Sequence, residues 1–187
     1  MASIGHLAVG AALGAAYSIK SGSRPRPTII AFALLALAPD LDLTTALFGV
    51  PRGTGSPLDH RGFTHSVFFA LAIGGIVGAL VKGSPMRRYF TGLWAFVALA
   101  SHGLLDTMSR LGNGPMLFWP FSNAFYEFPL RPIPGVLTAQ HYLTVQAIPT
   151  LVVETMLFLP FIAYAIGVFF PGGYVENRVP AKVLPEA

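Results

Sequence analysis

Apolar residues run through this chain in five stretches, roughly 4–19, 28–49, 65–81, 89–107 and 146–170. Each approaches the ~20 residues that carry a helix across a bilayer. Prolines, glycines and charges collect between them. The pattern predicts an all-α, polytopic membrane bundle of about five transmembrane helices, with residues 1–187 forming one integral membrane domain. Gly10 and Gly14 in the first stretch, and Gly74 and Gly78 in the third, form small-xxx-small pairs suited to close helix contact. Pro39 ends or kinks the second helix just before Asp40. Pro149 and Pro160 flank the middle of the fifth. No internal repeat is visible. The segment 108–145 reads as a long aromatic loop, carrying Met116-Leu117-Phe118-Trp119-Pro120-Phe121 and Phe125-Tyr126-Glu127-Phe128-Pro129. Trp and Tyr favour the lipid interface, so this loop is either an interfacial anchor or a lid over a site.

Composition agrees with the pattern. The chain is 53% hydrophobic and 11% charged, whereas soluble domains carry about a quarter charged residues. A net charge of +4 raises nucleic acid or anionic lipid as partners. The basic residues sit in short connections, however, and read as determinants of topology, so no nucleic acid is expected. The absence of cysteine excludes disulfides and thiolate sites. The N-terminus lacks a positive n-region and reads as a first helix rather than a cleaved signal peptide.

Eight of the twelve basic residues fall in alternate connections: Lys20, Arg24 and Arg26, then Lys82, Arg87 and Arg88, then Arg178 and Lys182. That side is expected to be cytoplasmic, with residues 172–187 as a cytoplasmic tail and the N-terminus outside.

Against this background the ionisable residues stand out. All four aspartates and four of the five histidines lie in or beside apolar stretches, where a charge costs about 2.5–3.5 kcal/mol unless it is compensated. His6 is fourteen residues from Lys20, Asp40 twelve from Thr28, His65 seventeen from Lys82 and His102 fourteen from Arg88. At 1.5 Å per residue all four lie about 18–25 Å above the cytoplasmic ends, in the outer half of the bilayer. Carboxylates and imidazoles gathered at one depth share an obvious compensation, a metal ion.

The motifs fit that chemistry. His102 and Asp106 are four apart on one helix face, so both reach one ion, although a simple hydrogen bond would also explain them. Pro39-Asp40-Leu41-Asp42 projects two carboxylates past a helix end, where helix punctuation is the alternative. In Asp59-His60-Arg61-Gly62-Phe63-Thr64-His65-Ser66, Thr64 or Ser66 suits a helix cap. Two histidines there exceed what a cap needs, and Arg61 suits a phosphate oxygen. Glu154 either reaches the site, pairs with a basic group or stays protonated. His141 reads as structural or interfacial.

Together, His6, Pro39-Asp40-Leu41-Asp42, His60-Arg61-Gly62-Phe63-Thr64-His65-Ser66, Ser101-His102-Gly103-Leu104-Leu105-Asp106 and Trp119-Pro120-Phe121 resemble the YdjM-type membrane-bound metal-dependent hydrolases. That family is distantly similar to zinc-dependent phospholipases C and single-strand-specific zinc nucleases. The resemblance implies metal ligation by His6, Asp40, His65, His102 and Asp106, with Asp106 bridging two ions. The later His-x3-Glu pair of those enzymes has no counterpart here, which implies one or two ions per chain.

The expectation is therefore a metal-dependent hydrolase of the bacterial or archaeal cytoplasmic membrane, with its site on the extracytoplasmic side. Its substrate would be a phosphoester of a lipid or lipid-linked molecule. Zn²⁺ is the first choice of ion and Mn²⁺ the second. Asp42 or His60 would act as general base or orient a ligand, and Arg61 would neutralise phosphoryl charge. The alternatives are a metal or proton transporter, and a non-catalytic protein whose metal only holds its helices together.

Overall fold

The computed structural model describes residues 3–49, 54–110, 112–134 and 144–170. Five helices appear, α1 (Ser3–Ser21), α2 (Pro25–Leu37), α3 (Val67–Leu80), α4 (Pro85–Thr107) and α5 (Ile148–Phe169). No strand is formed among the described residues beyond an isolated bridge between Ser109 and Ile133. His141 and the tail 172–187 lie outside the described residues.

Local sequence sets the helix ends. Gly22, at φ 66°, follows α1 in the left-handed conformation that closes helices without a Cβ penalty. Pro25 opens α2 at the first-turn position where a missing N–H costs nothing. Pro39 does stop the regular helix. α2 ends at Leu37, and the chain tightens into a 3-10 segment, Ala38–Phe48, that carries Asp40 and Asp42. Ser66 caps α3 by accepting from the Phe69 N–H at 3.0 Å, and Ser84 caps α4 in the same way through Arg87. Ser66 is thus the cap, and Thr64 is used elsewhere.

The glycine pairs work as the sequence implied. A Cβ on Gly10 would lie 2.6 Å from that of Ala36, and one on Gly14 would lie 2.8 Å from the Ile29 Cα. α1 and α2 therefore touch backbone to backbone. Gly74 and Gly78 meet Gly92 and the Arg88 carbonyl of α4 equally closely. Between the pairs, Tyr17 donates to or accepts from Thr91 at 2.7 Å and stacks on Phe32 and Phe90, which ties α1, α2 and α4 together.

The buried interior is made largely of small residues, among them Ala8, Ala12, Ala15, Ala36, Ala70, Ala95 and Ala98. Large apolar side chains point outward instead, as with Leu34 at 61%, Leu71 at 57% and Leu80 at 77% exposure. Small residues inside and leucines outside is the packing of helices in lipid, where no hydrophobic force drives large side chains inward. In water such a surface would be an aggregation site. Among the described residues, two helical spans have the length and apolarity to cross a membrane, Pro25–Thr45 and Ile148–Phe169, while Val67–Leu80 is apolar but shorter.

The chain order fixes which ends meet. α1 begins, α2 ends, α3 begins and α4 ends at one pole, where every candidate ligand lies. Lys20, Arg24, Arg26, Lys82, Arg87 and Arg88 lie at the other ends of the same helices. The described part of the long loop packs onto the first pole. Met116 N–H donates to the Arg61 carbonyl at 2.9 Å and Phe128 N–H to the Thr107 carbonyl at 2.9 Å. Phe121 and Phe128 remain exposed on it, so it covers Arg61 and presents aromatics outward at once. Arg131 pairs with Glu127 and holds that carboxyl below its usual range.

Gly14→Ala should lower thermal stability by about 1–3 kcal/mol through overpacking against α2. Gly75→Ala, whose Cβ meets nothing within 4 Å, should be neutral or stabilising by about 0.5–1 kcal/mol. Thermal unfolding of both variants in one detergent checks the pair, and equal shifts would refute the close approach.

Candidate metal centre

Four chain segments deliver side chains to one buried point. α1 brings His6, the 3-10 segment brings Asp40, the turn before α3 brings His60 and His65, and α4 brings His102 and Asp106. His6, His65, His102 and Asp106 are at most 3% exposed. The His6 and His102 rings stack at 3.7 Å between centroids, which locks α1 to α4 at this level.

The atoms that face one another have no hydrogen bonds. His6 Nε2, Asp40 Oδ1, His60 Nε2, His65 Nε2, His102 Nε2 and Asp106 Oδ2 are all buried without a hydrogen bond, Asp106 Oδ2 having only an ion pair with Arg61. Their separations are informative. His102 Nε2 lies 3.4 Å from Asp40 Oδ1, and His65 Nε2 lies 3.5 Å from Asp106 Oδ2 and 3.6 Å from Asp40 Oδ1. His6 Nε2 is 3.5 Å from Asp106 Oδ1. A charge-assisted hydrogen bond would close to about 2.7–2.9 Å. Two ligands bound to one tetrahedral ion at 2.0–2.1 Å stand about 3.3–3.4 Å apart. The residues thus fit a shared cation better than they fit one another.

Three ligand groups can be drawn: His6, Asp40 and His102; Asp40, His60 and His65; and His65, His102 and Asp106. They overlap in Asp40, His65 and His102, so one cluster with room for adjacent positions is formed. All five residues anticipated as ligands are in it. His60, anticipated as a catalytic or orienting group, reaches ligand range as well. Glu154 belongs to none of these groups. It is fully buried in α5, and neither carboxylate oxygen has a hydrogen bond among the described residues.

The far side of three of the four imidazoles is held, while His6 Nδ1 makes no hydrogen bond. Asp42 Oδ1 pairs with His60 Nδ1 at 2.9 Å, and Asp42 Oδ2 with His65 Nδ1 at 3.2 Å. One carboxylate thereby sets the tautomer of two histidines and turns both Nε2 lone pairs toward the cluster. Asp42 is an orienting group here, facing away from the ligand cluster. Thr64 steadies it, donating its hydroxyl to Asp42 Oδ2 at 2.8 Å. The Ala36 carbonyl does the same for His102, 2.7 Å from Nδ1. Thr64 had suggested only a cap, and a backbone carbonyl leaves no mark in a sequence.

Arg61 is paired with Asp106 and not with its neighbour Asp59. Its Nε lies 3.3 Å from Oδ2 and its Nη2 3.4 Å from Oδ1, while Nη1 donates to the Asn113 carbonyl at 2.6 Å. The residue adopts φ 68°, a left-handed conformation that costs a non-glycine roughly 1–2 kcal/mol. Its N–H donates to Asp42 Oδ2 at 3.2 Å, and its carbonyl is held by Met116. Asp59 instead closes the local turn, accepting from the Thr54 and His60 N–H groups at 2.8 Å each.

A family model for the YdjM inner membrane proteins matches residues 1–174, a span containing every residue of this cluster. The chain belongs to the YdjM inner membrane protein family. It is also similar to inner membrane protein YbcI of Escherichia coli (strain K12), with 37% identity over 119 residues, 60% of this chain and 65% of that protein. The match thus spans just under two thirds of the relative's length. No solved structure matches. The family resemblance expected from the motifs is confirmed, as is an inner membrane setting.

His65→Ala, His102→Ala and Asp106→Ala should each abolish most of the bound divalent metal. Asp42→Asn should weaken metal affinity by about 10–100-fold without removing a ligand. Elemental analysis per chain, with a chelator titration for Asp42→Asn, reads both. Full metal content in the three alanine variants would refute the cluster as a metal centre.

Proposed function

We propose that this protein is a metal-dependent hydrolase whose five helices all cross the inner membrane, and that it cleaves a phosphoester in a lipid or lipid-linked molecule on the extracytoplasmic side. One observation carries the reading. Six unbonded nitrogen and oxygen atoms converge in a buried cluster, with a guanidinium directly against it. The arginine holds Asp106 in place and, beside metal ligands, is also the side chain best suited to phosphoryl oxygens.

His6, Asp40, His65, His102 and Asp106 would hold the ion, Zn²⁺ before Mn²⁺ on the preference of imidazole and carboxylate donors. When bound, a divalent ion supplies Lewis acidity toward water and the phosphoryl oxygen. The protein's own groups do the rest. Asp42 keeps His60 and His65 in one tautomer. Arg61 fixes the Asp106 carboxylate through a two-point contact and adds positive charge where phosphoryl oxygens gather negative charge. The His60 side chain is 20% exposed and that of Asp40 12%, against 0–1% for His6, His65, His102 and Asp106. Substrate therefore approaches past Asp40 and His60. Water adds to phosphorus, the ester P–O bond breaks, and His60 carries the water's proton to the departing alkoxide oxygen.

Purified protein stripped by chelation and reloaded with Zn²⁺ or Mn²⁺ should regain turnover on phosphate monoesters or diesters of lipid type. Arg61→Lys should keep its metal and lose about 10²-fold in kcat, since it retains charge without the planar fork. If no phosphoester, from generic diester to phospholipid, is turned over in a metal-dependent way, the hydrolase reading fails.

Sidedness has its own measurement. Leu58 and Met86 are each 55% exposed, Leu58 at the site pole and Met86 at the basic pole. In intact cells Leu58→Cys should react with an impermeant thiol reagent added outside, and Met86→Cys should react only after permeabilisation. The reverse labelling would put the site in the cytoplasm.

A further inference from the structure

Beside the cluster lies a cavity of about 420 Å³. Its walls are Ala38, Leu41 and Thr45 of the 3-10 segment, Phe69 and Ile73 of α3, and Leu99 of α4. Asp42 and Thr64 also line it, yet their polar atoms are engaged inward, on His60, His65, the Arg61 N–H and each other. The surface offered to an occupant is therefore hydrocarbon. Leu41, which lines it, is 67% exposed within the membrane-length span Pro25–Thr45, and in the five-helix membrane bundle proposed above that surface faces lipid.

We propose that this cavity seats a single hydrocarbon tail of the substrate, which enters sideways from the bilayer and brings its phosphoryl headgroup to the metal cluster. The inference builds on the hydrolase reading and adds the substrate class, a phosphorylated amphiphile with at least one long chain. Three observations support that occupant. A partner helix is about 10–12 Å across and does not fit, whereas the volume lies within the 300–1,000 Å³ of small-ligand sites. A polar ligand would find no free donor or acceptor on the walls. Asp42, whose carboxylate holds His60 and His65, also lines the cavity, which places a chain lying in it within one imidazole ring of the cluster. Because lipid tails and leucines are equally apolar, the cavity holds a tail by shape, and its effect is to position the headgroup.

The test uses detergent-solubilised, zinc-loaded protein and two probes. One is 1-palmitoyl lysophosphatidic acid, with one tail and a phosphate monoester. The other is glycerol 3-phosphate, the same headgroup without the tail. Binding is read by native mass spectrometry and hydrolysis by phosphate release. Wild type should retain the lysolipid at least about tenfold better than the headgroup. Ile73→Trp and Ala38→Leu fill the cavity from opposite walls, and each should remove most of that preference while metal content and headgroup binding stay unchanged. Leu80→Trp, at the far end of α3, should keep the preference and so controls for general affinity for detergent and lipid. The two cavity variants check each other should one fold poorly. Lysolipid retention in Ile73→Trp and Ala38→Leu equal to that in Leu80→Trp overturns the tail site, as does the absence of any preference in wild type. Cavity-dependent binding with no phosphate release supports the tail site and counts against a phosphomonoester as the bond cleaved, and no turnover on the wider phosphoester series would then sink the hydrolase reading. Phosphate release indifferent to both cavity variants supports the hydrolase reading and sinks the tail site.

Discussion

Burying ionisable groups without partners is the constraint on which this structure turns. In the interior of a lipid-facing bundle, three carboxylates and four imidazoles would each carry a desolvation cost of several kcal/mol. Asp42 escapes it by accepting from two imidazoles, a hydroxyl and an N–H. Asp40 and Asp106 do so less fully, since an oxygen of each faces the ring nitrogens without a hydrogen bond, although Arg61 offsets part of the cost at Asp106. A cation discharges that cost in one step, and the spacing of the bare atoms near 3.5 Å leaves room for it. A divalent ion held there would offset that cost and so couple metal binding to the stability of the helix ends that bear the cluster.

That coupling explains the close packing elsewhere. His6 and Asp40 meet only if α1 and α2 run almost backbone to backbone, which Gly10 and Gly14 permit. His65 meets His102 only if α3 and α4 do the same, through Gly74, Gly78 and Gly92. The Tyr17–Thr91 hydrogen bond then joins the two hairpins below the cluster. With bulky residues at those glycines the ligands would stand apart by more than an ion can span, however well each helix formed.

Much of this was legible in the residues because lipid makes polar side chains conspicuous. The five helices followed from apolar stretches, the break after Leu37 from Pro39, and the gathering of His6, Asp40, His65 and His102 at one pole from their matching depth. His6 is the clearest case, since nothing around it in an Ala-rich helix marks it except its distance from Lys20. What the sequence hid is longer in range or lies in the backbone. Arg61 could have paired with Asp59, two residues away, yet the fold gives it Asp106, 45 residues on. Its left-handed φ, the Ala36 carbonyl behind His102 and the Asn113 carbonyl on Arg61 depend on how segments meet. Asp42 and His60 looked interchangeable as short polar neighbours of ligands, and only the hydrogen bond between them separates their parts.

The same geometry bears on whether such a site conducts or catalyses. A transport path needs polar groups continuing from the cluster toward the basic pole. Immediately below His102 lie Ala36, Ala95, Ala98 and Leu99, each no more than 2% exposed. The next buried polar groups among the described residues of α1 to α4 are Tyr17, Ser18 and Thr91. Ser18 is bonded to the Ala15 carbonyl, and Tyr17 and Thr91 are bonded to each other. Glu154 is buried near the site end of α5, so it does not extend a path downward. Among the described residues the exposed side of the cluster is that of Asp40 and His60. A centre with no polar path toward the basic pole among the described residues, and exposed at Asp40 and His60, is the arrangement that the proposed hydrolysis of a membrane amphiphile would need.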